Sequence, residues 1–177
     1  MIHEGRGLLP FVRALPYIEN AVLFLLGEGG YKDVVIQEVK ALNVDDRVIF
    51  HGKVPYDKLH EWTCSADIGI SFNEPISFSY EMALPNKLFE YCMAGIPSIV
   101  SDLPALRKII EEHQIGIILP TNATPEQIAN AIKELSSKEN RQKYIGACEK
   151  ATKIFSFEAQ VNVIMSILMN TKLVRTD

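Results

Sequence analysis

Lys87 is the residue that most invites a chemical reading. It stands in Leu84-Pro85-Asn86-Lys87, where the asparagine offers an N-cap to a helix over Lys87–Ala94. Free backbone N–H groups and the helix dipole favour an anion at such an end. A lysine set against that dipole points to a ligand with more than one negative charge; a solvated lysine beside an ordinary cap fits the same residues. Glu90, one turn further on, offers acceptors for ribose hydroxyls, as acidic residues do in dinucleotide sites. A glutamate that merely stabilises the dipole also accounts for it. Arg6, in Gly5-Arg6-Gly7 just ahead of a helix, suits bidentate phosphate contact or is a plain surface arginine. Gly27-Glu28-Gly29-Gly30 follows an apolar run and either cradles phosphate or only turns the chain. It is not G-x-G-x-x-G, and no G-x-x-x-x-G-K-[ST] is present.

Other chemistries find less support. His3, His51, His60 and His113 show no H-x-x-x-H or H-E-x-x-H spacing and no cysteine partner, so no metal is expected. There is no G-x-S-x-G elbow. Cys64, Cys92 and Cys148 are an odd set without C-x-x-C spacing and read as reduced, buried thiols of a cytosolic protein. The 177 residues carry 18 basic and 22 acidic side chains, a net charge of −4, with 47 % hydrophobic residues. That balance excludes a disordered tail and argues against nucleic acid as a partner, because phosphate neutralisation needs a basic surface. No apolar run approaches the roughly 18 residues of a membrane span, and the first residues lack the apolar stretch of a secretory signal.

The elements that must position these groups alternate. Ala21–Leu26, Arg47–Phe50, Asp67–Ser71, Pro97–Val100 and Ile115–Leu119 are short apolar runs bounded by breakers and read as buried strands. Leu8–Ala14, Val34–Leu42, Asp57–Cys64, Lys87–Ala94, Ala105–Glu112, Pro125–Ser136, Asn140–Ala151 and Phe157–Met169 read as helices from their three- and four-residue spacings. Thr124-Pro125-Glu126-Gln127 has the residues of a capping box. Such alternation predicts the α/β class: one doubly wound, Rossmann-like parallel sheet with helices on both faces, binding ligands beyond the carboxyl ends of its strands. The stretch Phe72–Asn86 far exceeds the about 2–6 residues usual for such a connection, which marks it as functional.

Taken in order, these segments resemble the C-terminal, nucleotide-sugar-binding domain of retaining glycosyltransferases of the two-Rossmann GT-B fold, of the group 1 or family 4 type. Glu4-Gly5-Arg6-Gly7 resembles the basic-residue-then-glycine signal ahead of the first helix. Leu25-Leu26-Gly27-Glu28-Gly29 is similar to the strand ending in G-x-G, Val48–Val54 to V-x-F-x-G-x-V, and Ser65-Ala66-Asp67 to the alanine-aspartate before the fourth strand. Leu84–Pro97 is similar to the helix pattern P-x-K-L-x-E-Y-x-x-x-G-x-P.

The resemblance implies transfer of a sugar from a nucleotide sugar to an acceptor hydroxyl with retention, in polysaccharide biosynthesis, with no cofactor and no obligatory metal. It implies that Arg6, Lys87 and the helix start Pro85-Asn86-Lys87-Leu88, through its free backbone amides, hold the donor diphosphate. Glu90 would hold the ribose, Gly27 and Gly29 would approach the donor, and His51, Gly52, Lys53 and Val54 would line the base pocket. The family's first catalytic glutamate falls at Met82, and Glu81 beside it is the nearest candidate. The matching domain opens with a central strand, preceded by an acceptor domain; here residues 1–177 begin inside the motif. An N-terminal domain of the same protein is therefore an expected partner, and the chain by itself should be inactive in transfer. Met1–Glu4, another chain or a rearranged sheet should cover the gap. The apolar side of Phe157–Met169 should be exposed or self-associated, and the full enzyme should be cytoplasmic with peripheral contact at the inner membrane face. A nucleotide-sugar epimerase of the same fold calls for more acids and histidines around the cleft. A non-catalytic binding module of receiver type needs an aspartate where His51-Gly52-Lys53 stands.

Overall fold

A computed structural model describes residues 2–170. Strands β1 (Leu23–Leu26), β2 (Val48–Gly52), β3 (Gly69–Ser71), β4 (Ser98–Ser101) and β5 (Gly116–Leu119) alternate with helices α1 (Leu8–Ala14), α2 (Lys32–Ala41), α3 (Tyr56–Cys64), α4 (Phe78–Glu81), α5 (Asn86–Met93), α6 (Pro104–His113), α7 (Pro125–Ser136), α8 (Lys138–Phe155) and α9 (Phe157–Asn170). All pairings are parallel, as expected for strands joined by helical crossovers. β4 shows the two-sided winding directly. Ile99 packs into an apolar cluster with Phe11 and Val12 of α1, Val35 of α2 and Ile128 of α7. Its neighbour Val100 points the other way, into a cluster with Leu88 and Cys92 of α5, Leu106 of α6 and Cys148 of α8.

The doubly wound class holds, but the strands hydrogen-bond as two sheets rather than one: β1–β2 and β3–β4–β5. Among the described residues no strand pairs with the inner edge of β1 or of β3. Residues 2–5 bridge the two sheets at their carboxyl ends instead. The Ile2 amide donates to the Glu28 carbonyl (3.1 Å), the Tyr31 amide donates to the Ile2 carbonyl (3.3 Å), and the Glu74 amide donates to the Gly5 carbonyl (2.9 Å). Ile2 is buried in the main apolar cluster. Gly29 faces the Ile2 carbonyl so closely that a Cβ there would collide with it. Of the segment expected over this gap, Met1 lies outside the described residues.

Further details depart from the sequence reading. Cys64 is exposed, while Cys92 and Cys148 are buried, and β2 is buried only at Val48. The long connection after β3 contains a short helix, α4, started by Ser77, whose hydroxyl accepts from the Tyr80 amide. At α5 the N-cap is Pro85, not Asn86; Asn86 is the first helical residue, and no side chain caps this end. Proline's fixed φ and lack of an N–H suit a position where the chain leaves extended geometry. The apolar side chains of α9 lie open, with Phe157 79 % and Met169 70 % exposed. Among the described residues no helix is long and apolar enough to cross a membrane.

Candidate functional site

The turn Gly5-Arg6-Gly7 can exist only with glycines at both flanks. Gly5 (φ 74°) and Gly7 (φ 70°) are left-handed. A Cβ on Gly5 would stand 2.5 Å from the Cδ1 of Ile76, and one on Gly7 would stand 2.8 Å from the Cβ of Phe72. The turn is thus pressed against the connection that follows β3. It delivers Arg6 to the carboxyl end of the sheets, half-buried, with its guanidinium 4.9 Å from the centre of the Tyr80 ring.

Lys87 enters from the first turn of α5. The Leu88 amide already donates to the Pro85 carbonyl (3.1 Å), and the amides of Asn86 and Lys87 have no side-chain cap. No acid occupies that first turn. Burial, and after it the charge of Arg6, pulls the Lys87 ammonium down to a pKa of about 8. The two cations therefore feel each other, and among the described residues neither forms an ion pair. Glu90 is half-buried one turn on from Lys87, beside Tyr91, which burial pushes up to about 12. The Tyr91 hydroxyl donates to the Ile70 carbonyl (3.4 Å) and its ring covers Gly69, which ties α5 to β3.

A second element of the site lies at the ends of β1 and β2. The Gly27 amide donates to the Gly52 carbonyl (2.7 Å), and both glycines have positive φ. This tie sets Gly27 and Leu26 against Lys53, Val54 and Leu59 around an open depression of about 200 Å³. Gly29 does not line it; its place is under Ile2. The His51 ring does not line it either. Like Ile49, it leaves the opposite face of β2, and it lies 4.2 Å from the Trp62 ring and 5.7 Å from Phe24. Glu81 closes α4 and is exposed. Leu26, Leu59 and Tyr80 belong to these surroundings and escaped the sequence reading. For Tyr80 the only available signal was an aromatic residue inside an over-long loop.

At the root of that loop Asn73 is fully buried. Its amide N–H donates to the Ser101 hydroxyl (3.0 Å), while both polar atoms of its side chain, and the Ser71 hydroxyl, are buried without a partner. Such groups are rare and costly in a folded protein. Among the described residues no group of three or more histidines, cysteines, aspartates and glutamates is placed to hold a metal ion.

A parallel α/β domain wound with helices on both faces in this way is Rossmann-like. The sequence family described as glycosyl transferases group 1 matches residues 1–138, and the chain belongs to that family. It is 32 % identical over 146 residues to an uncharacterized glycosyltransferase of Methanocaldococcus jannaschii, an alignment covering 79 % of this chain and 35 % of that protein. Its fold is similar to that of Anabaena HepE solved in complex with UDP (TM-score 0.77, 16 % identity, 98 % of this chain and 47 % of that one). It is also similar to the C-terminal domain of a group 1 family protein, LpcC, from Francisella tularensis (TM-score 0.70, 19 % identity, 87 % of this chain and 81 % of that one). The chain spans about a third of the length of the curated relatives it matches.

Proposed function

We propose that this chain is the donor-binding half of a retaining sugar transferase, and that it receives a nucleoside diphosphate sugar. The carrying observation is the pairing of Arg6 with the desolvated Lys87 at an uncapped helix end, two cations gathered with no carboxylate between them. Such a cluster is electrostatically unfavourable until an anion enters it, and a diphosphate supplies more than one negative charge. Glu90 accepts from the ribose hydroxyls. Lys53 and Val54, with Leu26 and Leu59, flank the base in the depression at the ends of β1 and β2. UDP in the HepE structure supports a diphosphate of this class.

In transfer, negative charge grows on the departing diphosphate as the glycosidic bond breaks. Arg6, Lys87 and the first amides of α5 stabilise it, so no divalent metal is required for that role. The acceptor hydroxyl comes from a lipid-linked or cell-surface glycan precursor, presented by an N-terminal domain, and attacks on the face that retains configuration. Glu81 stands in for the family's first glutamate toward the sugar. The exposed apolar side of α9 packs against that domain or the inner membrane face, in the cytoplasm.

The test is a thermal-shift panel of UDP, GDP and ADP beside their nucleosides. One diphosphate at about 100 times its dissociation constant should stabilise the fold by about 2.7 kcal/mol. Arg6→Ala and Lys87→Ala should weaken diphosphates more than nucleosides, and Glu90→Ala should weaken both. Equal losses for all three variants with both ligand types would end the assignment of roles.

A further inference from the structure

Arg6 lacks an acidic partner among the described residues, yet it is not left loose. Tyr80 lies beneath its guanidinium at 4.9 Å. The Tyr80 hydroxyl donates to the Glu4 carbonyl (3.5 Å), and a Cβ on Gly5 would stand only 3.0 Å from its Cε1, so the ring lies close on the turn; its backbone amide donates to the Ser77 hydroxyl (3.4 Å) at the start of α4. Tyr80 therefore grips the same turn whose central side chain it carries.

The choice of a ring over a carboxylate has a chemical consequence. A carboxylate would hold Arg6 by occupying its N–H donors in the plane of the fork and cancelling its charge. An aromatic face attracts the guanidinium from above, through the ring quadrupole, and leaves all five in-plane donors and the full charge unused. Lys87 makes this necessary, because its own ammonium repels Arg6 and would otherwise push it off the helix end.

We infer that Tyr80 is the positioning residue for Arg6, holding the guanidinium by its face so that its edge and charge are presented to a diphosphate. This rests on the donor-site reading above, and the test separates the two. UDP, GDP, ADP, their nucleosides and inorganic pyrophosphate are titrated against the chain and against Tyr80→Leu, Tyr80→Phe, Arg6→Ala and the Arg6→Ala/Tyr80→Leu double variant. Tyr80→Leu should weaken pyrophosphate and the preferred nucleoside diphosphate about fivefold to tenfold, while leaving the nucleoside unchanged. Tyr80→Phe keeps the ring and should stay within about twofold of the parent chain. In the Arg6→Ala background Tyr80→Leu should have no further effect.

A loss of the same size in that background, a phenylalanine as poor as leucine, or no loss at all overturns the role of Tyr80 while leaving the donor site intact. Unchanged diphosphate affinity in Arg6→Ala overturns the donor-site reading itself. Should Tyr80→Leu fail to fold, the side-chain methylene protons of Arg6 decide the matter by NMR. Ring-current shifts upfield in the parent chain and in Tyr80→Phe support the stacking, and random-coil positions in both overturn it.

Discussion

The N-termini of α5 and α7 solve the same problem in opposite ways. At α7 every requirement is met internally. The Gln127 amide donates to the Thr124 hydroxyl (3.3 Å), and the Gln127 side-chain carbonyl accepts from the Thr124 amide (2.8 Å). Pro125 fills the first helical position, and Glu126 complements the dipole. Hydrogen bonds, first to its own backbone amide and then to Thr124 and Tyr17, hold the Glu126 carboxyl below its ordinary range. At α5 there is no cap and no acid, and a lysine stands where an acid belongs. One end is finished for stability; the other is left with unspent donors and positive charge. Helices α1 and α6 also lack a side-chain cap and a first-turn acid, so what sets α5 apart on the proposed reading is Lys87 with Arg6 near it, at the carboxyl edge of the sheets.

The contrast can be broken most severely at Lys87. Lys87→Met should weaken diphosphate binding by about 10- to 100-fold, the loss of a charge-assisted contact of about 1.5–3 kcal/mol. Calorimetric titration with UDP, GDP and ADP measures it. The same variant should unfold at an equal or higher temperature, because a desolvated ammonium is removed.

Proton linkage sharpens the point. The folded-state pKa of Lys87 lies at about 8, below its ordinary value of 10.5, so the folded chain gains stability as pH rises from about 8 toward 10.5. A bound diphosphate favours the charged form, so binding takes up a proton and affinity falls as pH rises through about 8. Titrations in buffers of different ionisation enthalpy should detect that proton, and Lys87→Met should abolish it.

On the finished end, Thr124→Ala should lower stability by about 1 kcal/mol in urea unfolding and leave ligand affinity unchanged. Making α5 resemble α7 is the subtlest intervention. Asn86→Asp adds an acid to its first turn and should stabilise the fold by about 0.3–1 kcal/mol while weakening the diphosphate. A variant that gains stability and keeps its affinity would show that α5 is an ordinary helix end.

Much of this was open to reading from the chain itself. β1, β4 and β5 are short apolar runs stopped by glycine, serine-aspartate and proline, and all three form strands, with β4 buried at every residue. The box at Thr124–Gln127 is local chemistry and appears as anticipated. What escaped is tertiary in origin. Helix α4 is four residues long, too short to have periodicity, and it exists because the loop folds over Gly5. Asn86 has a good capping side chain, yet Pro85 takes the cap because its extended geometry ends the loop. The gap between β1 and β3 concerns partners across the sheet, which no single segment reveals. His51 was legible in retrospect: with a period of two it shares a face with Ile49, and both stand exposed on the side where Phe24 and Trp62 stack.

Ile2 and Gly5 are pegs driven into opposite banks, the first hydrogen-bonded to the β1 side and the second to the β3 side, with Arg6 immediately beyond. Only His3 and Glu4 separate the two pegs, so a slip of one residue along the backbone would break the ties to Glu28, Tyr31 and Glu74 together.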